Sequence, residues 1–130
     1  MIRTLLVAAC PLALAAIATP AAGKSSACPV AGHYWVAGKL PGADTVYRGE
    51  ATISARRGAC RMRWGAPNTS EGNGTYRDGV LTINFRFRDG SSGVVRYTRA
   101  ANGDMHGVWW MDASPNSQGT ETISPHGPPL

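Results

Sequence analysis

Arginine is the most numerous charged residue in this chain. Arg48, Arg61, Arg63, Arg86, Arg88 and Arg96 occupy the polar positions of alternating runs, so strand periodicity places them opposite the apolar side chains. Guanidinium groups grip carboxylate, sulfate and phosphate bidentately, which lysine does not match. Beyond residue 23 the chain holds ten arginines against two lysines. Like charges facing each other across strands destabilise a sheet, a penalty that an indifferent surface would avoid. The set is therefore a candidate surface for an anionic partner, with an ordinary solvated face as the alternative. Glu121 is the acidic residue in an unusual place. It shares a strand face with Gly119 and Ile123, which directs it inward. A buried carboxylate needs a partner, here an arginine or a tyrosine hydroxyl. The expected role is structural, with ligand contact or catalysis as alternatives.

The remaining inventory is thin for an enzyme. His33, His106 and His126 are scattered, and no pair has metal-ligand spacing. Ser91 and Ser92, between Gly90 and Gly93, superficially resemble a serine motif. They fall in a turn between strands, whereas a nucleophile elbow needs a strand-to-helix turn. Asp78, Asp89 and Asp104 each adjoin a glycine, as turn formers do. A non-enzymatic protein without metal or cofactor is expected.

The chain has 130 residues and a formal net charge of +5, or +4 without Arg3. That charge favours acidic partners. Arg3, the apolar run Leu5–Ala18 and the small residues Pro20–Gly23 read as a signal peptide over residues 1–23, too short for a membrane span. Lipidation at Cys10, or retention as a tether, are the alternatives. An exported chain of roughly 107 residues follows, periplasmic or extracellular, and nucleic acid is an unsuitable partner there. Its two cysteines, Cys28 and Cys60, pair as a disulfide in an oxidising compartment. That bond would close a loop of about 30 residues and add roughly 3 kcal/mol. A metal pair or a catalytic thiol are the other readings, and neither has a supporting Cys/His cluster.

The elements that must position these residues are strands. His33–Ala37, Val46–Ala55, Cys60–Trp64, Gly74–Arg77, Leu81–Arg88, Val94–Arg99, a strand through Gly107-Val108-Trp109, and Gly119–Ile123 alternate apolar and polar. Arg57-Gly58, Asp78-Gly79 and Asn102-Gly103 supply turns between them. The reading is an all-β antiparallel meander of about eight strands, closed as a small up-and-down barrel that leaves no edge. A two-sheet sandwich is the alternative. Residues 24–130 form one domain, monomeric, with a short disordered C-terminal tail. Tyr47, Trp64, Phe85, Tyr97 and Trp109 fall on the inner face, with Trp109 as core anchor in a gap left by Gly107. An eight-stranded interior is either just filled by side chains or holds one small ligand.

Ordered along the chain stand Gly32-His33-Tyr34, Tyr47-Arg48-Gly49, Met62-Arg63-Trp64 and Gly72-Asn73-Gly74. Leu81-Thr82-Ile83-Asn84, Val95-Arg96-Tyr97, Gly107-Val108-Trp109 and Gly119-Thr120-Glu121-Thr122-Ile123-Ser124-Pro125 follow. In this order they resemble a family of small secreted bacterial proteins named for fibronectin binding. The resemblance spans nearly the whole chain after the leader; Trp110, residues 112–118 and the arginine content depart from it. It implies adhesion to an extracellular-matrix protein. Three functions are thus expected from the chain: an arginine-rich module for fibronectin, an acidic glycan or an envelope component; a carrier of a small apolar ligand inside the barrel; or a structural envelope protein.

Overall fold

Alternation shapes this chain from end to end. The structure, a computed structural model, describes residues 27–129; the expected signal peptide and Cys10 lie outside them. Eight strands follow one another: β1 (Gly32–Lys39), β2 (Val46–Arg56), β3 (Ala59–Trp64), β4 (Ser70–Arg77), β5 (Val80–Phe87), β6 (Ser92–Arg99), β7 (Met105–Met111) and β8 (Gln118–Ser124). Each pairs antiparallel with the next, and β8 pairs with β1 through Val36↔Ile123 and Gly38↔Glu121. The meander closes into a barrel without an unpaired edge, and the sandwich alternative is set aside.

The two ends of the barrel are built differently. At one end the β2–β3 and β4–β5 connections are two-residue turns, Arg57-Gly58 (φ 49° and 78°) and Asp78-Gly79 (φ 51° and 78°). Two successive left-handed residues give the turn whose twist matches the strands it joins. The segment preceding β1 folds under this end. Cys28 bonds to Cys60 with Cα atoms 5.2 Å apart, Val30 is buried, and the Tyr34 hydroxyl donates to the Val30 carbonyl at 2.6 Å. Above this plug lie Ile53, Met62, Leu81, Ile83, Met105 and Ile123, all at 2% exposure or less. Each such side chain contributes about 1.5–3 kcal/mol by leaving water. The third connection at this plugged end spans residues 100–104; at the other, long-loop end all four connections run to four residues or more, over residues 40–45, 65–69, 88–91 and 112–117.

Glycines decide where the large rings go. Four inward aromatic residues each face a glycine directly across the ladder: Tyr47↔Gly38, Phe85↔Gly93, Tyr97↔Gly107 and Trp109↔Gly119. A Cβ on Gly119 would stand 2.3 Å from the Trp109 ring, and one on Gly38 would stand 2.3 Å from the Tyr47 oxygen. The gap beside Gly107 is therefore filled by Tyr97 of the neighbouring strand, and Trp109 owes its space to Gly119. This corrects the expected anchor. Tyr97 is fully buried, while Trp109 is partly buried. The fourth strand also begins earlier than the expected Gly74, at Ser70. Gly72 and Gly74 hide the inward pattern there, because β5 runs too close for a side chain: a Cβ on Gly72 would lie 2.1 Å from the Asn84 carbonyl.

Beyond β8 the chain turns back. His126 Nε2 lies 2.7 Å from the Asn102 carbonyl, and Arg48 Nη1 donates to the Pro129 carbonyl at 2.7 Å.

Candidate functional site

At the long-loop end the barrel interior is not filled. A cavity of about 110 Å³ lies there, walled by Tyr47 of β2, Trp64 of β3, Phe85 and Phe87 of β5, and Trp109 of β7. Leu40, Pro67 and Asn68 stand at its rim and Glu121 lines it from β8. The walls follow from strand phase: each ring sits at an inward position near the long-loop end of its strand. Trp64 meets Phe85 edge-on with centroids 5.8 Å apart, and Phe85 meets Phe87 edge-on at 5.6 Å. Gly38, Gly93 and Gly119 stand beside three of these rings on the neighbouring strands, where a side chain would displace them.

Glu121 points inward as expected and is 5% exposed. Its partners are two tyrosines and an indole, with no arginine. Tyr47 donates to Oε1 at 3.0 Å, Trp64 Nε1 donates to Oε2 at 3.1 Å, and the Tyr97 hydroxyl donates to Oε2 as well. These three donors come from three different strands, which locks the carboxylate in place. Burial pushes the Glu121 carboxyl above its ordinary value of 4.5, and the bonds from Tyr97, Trp64 and Tyr47 pull the other way. Burial, followed by the facing carboxylate, raises the hydroxyls of Tyr47 and Tyr97 well above their ordinary 10.0. Both therefore serve as neutral donors. The Trp109 indole N–H is buried with no hydrogen-bond partner. It lies beside the Tyr47 oxygen, close enough to oppose part of that hydroxyl's shift but without completing a bond.

The six expected arginines do not form a ladder. The register sets Glu71 between Arg63 and Arg86, while Arg96 faces Thr82 and Val108. Arg48 faces Ala37, and Arg61 faces Ser54 and Asn73. No arginine of the set stands opposite another, so the expected penalty of like charges across strands does not arise. The reason is alternation within β4, whose outward positions carry Glu71 and Asn73. Arg61 Nη2 pairs with Glu71 Oε2 at 2.8 Å and Arg63 Nε approaches the same oxygen at 3.9 Å. Arg61, by its hydrogen bond and then its charge, holds the Glu71 carboxyl below the usual range. Arg61, Arg63 and Arg86 thus share one side of the barrel. Arg88 lies past β5 in the following turn, and Arg48 and Arg96 sit on other strands.

The other candidates are dispersed. His33 Nε2 stands 3.6 Å from Glu50 on the outer face, and His106 Nδ1 lies 3.2 Å from the Thr122 hydroxyl. Ser91 binds Asp89 within its own turn, and Ser92 Oγ donates to Asp112 at 2.7 Å. Among the described residues no group of three or more His, Cys, Asp or Glu is arranged to hold a metal. Phe87 continues the inward alternation of Leu81, Ile83 and Phe85 to the cavity, whereas Ser70 reaches it only because β4 begins before the expected Gly74. The chain matches no protein-family model, no curated protein and no solved structure.

Proposed function

We propose that this barrel binds a small, largely apolar ligand in the aromatic cavity at its long-loop end. The observation that carries this reading is the unfilled space itself, bounded by five aromatic rings and leading to the rim residues Leu40, Pro67 and Asn68. Its size limits the ligand. Drug-sized pockets run to roughly 300–1,000 Å³, whereas an apolar cavity of about 150 Å³ accommodates benzene. At about 110 Å³ the space is smaller than that, so a short alkyl chain, or a ring that extends past the rim residues, suits it. The buried disulfide is consistent with an oxidising compartment, and we place the protein in the periplasm or outside the cell, as a carrier without catalytic activity.

The test is a titration of the purified protein with benzyl alcohol, followed by tryptophan fluorescence, beside a Ser70→Leu variant. Ser70 lines the cavity, and the longer side chain would occupy it. Saturable quenching that the variant loses supports the carrier reading. An unchanged response in the variant contradicts it, as does the absence of any response in the parent to single-ring probes of every charge.

A second reading, a module for an anionic partner such as fibronectin or an acidic glycan, is favoured by one observation. Arg56, Arg61 and Arg86 line a common groove on the outer face. Glu71 and Asp112 line the same groove and offset part of that charge, so this reading ranks below the cavity. It predicts capture by heparin that weakens with salt and is lost when Arg56, Arg61 and Arg86 become serine. Capture indifferent to both would remove it.

A further inference from the structure

We propose that the cavity selects a small organic cation, an alkyl- or arylammonium whose nitrogen meets Glu121. This rests on the reading of the cavity as a ligand site and goes on to name the chemistry of the ligand. An ionised carboxylate offers about four lone-pair positions, and three are taken at Glu121. Oε2 receives Trp64 and Tyr97, whereas Oε1 receives Tyr47 alone. One position on Oε1 stays open for a donor. All three protein donors are neutral, and among the described residues no lysine, arginine or histidine pairs with this carboxylate. A buried charge without a counter-charge is costly, and Glu121 lines the cavity that a ligand would enter.

The walls point to the same chemistry. Tyr47, Trp64, Phe85, Phe87 and Trp109 surround the space. The negative face of an aromatic ring attracts a cation, more strongly once water is excluded. An ammonium group could donate an N–H to Oε1 while its hydrocarbon body packs against the rings. A carboxylate ligand would meet Glu121 as a like charge, and an alcohol could fill the open lone pair but would bring no counter-charge. The basic charge of the chain does not oppose this arrangement at contact range. Arg48, a cation at the rim, keeps its charge while it donates to the Pro129 carbonyl, and Glu50 on the same rim offsets that charge. More distant exposed arginines are screened beyond about 10 Å at 0.1 M salt.

Calorimetric titration of the purified protein with benzylammonium, benzyl alcohol and benzoate, which share one ring, tests the proposal. Benzylammonium is expected to bind about tenfold or more tighter than the alcohol, with no binding of benzoate. Glu121→Gln should narrow the gap between amine and alcohol. The ranking of the three probes in the unmodified protein decides the matter even if that variant folds poorly. If the alcohol binds as tightly as the amine, the cation assignment is overturned and the cavity reading stands. If none of the probes binds, both are overturned.

Discussion

The two ends of this barrel solve the same problem in opposite ways. At the disulfide end, short turns bring the strands together over aliphatic side chains. Cys28 and Val30 plug the opening, and Leu81, Ile83, Met105 and Ile123 are at 0% exposure. At the long-loop end the inward positions carry rings, and glycines face three of them across the ladder at Gly38, Gly93 and Gly119. A branched aliphatic fills the space it stands in, whereas a flat ring laid against a glycine leaves room beside it. The first arrangement gives stability. The second leaves a cavity with a carboxylate in its wall.

If that contrast is correct, truncations at the two ends should differ in kind. Leu81→Ala, at the filled end, should destabilise the fold by about 2–5 kcal/mol in urea unfolding while leaving ligand affinity unchanged. Phe87→Ala, at the half-buried rim, should cost less stability and weaken binding. Equal stability losses would erase the distinction.

A smaller effect is expected where ring and glycine meet. Gly119→Ala places a methyl 2.3 Å from the Trp109 ring, so the indole must move into the cavity. Overpacking of this kind costs about 1–3 kcal/mol, and here it should also abolish binding. Retained affinity would mean that Trp109 does not bound the site.

The smallest effect concerns pH. Because the Glu121 carboxyl is raised above 4.5 in the fold, its contribution to stability is fully present below the unfolded value. It is lost as pH rises through the folded value. Tyr47 and Tyr97, the titratable groups that bond to it, stay neutral over this range. Glu121→Gln removes the titration, so the stability of the variant relative to the parent should rise with pH above about 4.5. Exposed Glu71 and Asp89 have lowered values and act in the opposite sense, but they are common to both proteins and cancel. A relative stability that is flat or falling with pH would contradict the burial of an ionisable Glu121.

Much of this architecture was legible in the sequence, because alternation reports which face a residue occupies. Glu121 between Gly119 and Ile123 and the Asp78-Gly79 turn follow from local pattern, and the Cys28–Cys60 pair from the count of cysteines after residue 23 together with the expected export. Less legible was anything set by register. Which glycine makes room for Trp109, and whether Arg63 faces Arg86 or Glu71, depends on pairing between strands that no single stretch encodes. The start of β4 was hidden for a related reason, since Gly72 and Gly74 are dictated by the neighbouring backbone and carry no hydrophobic signal. The cavity was the least legible feature, because empty space is a property of how five rings pack together.

The chain contains its own control for a ligand in the cavity. Of its four tryptophans, Trp64 and Trp109 line the cavity, while Trp35 and Trp110 alternate with inward residues and so lie on the outer face. The most direct measurement is therefore the set of indole N–H signals in a nitrogen-15 spectrum during titration with benzylammonium. A ligand in the cavity shifts the Trp64 and Trp109 signals together and leaves those of Trp35 and Trp110 in place. Shifts confined to Trp35 or Trp110, or no shift at saturating ligand, would show that the long-loop end of the barrel is not the binding site.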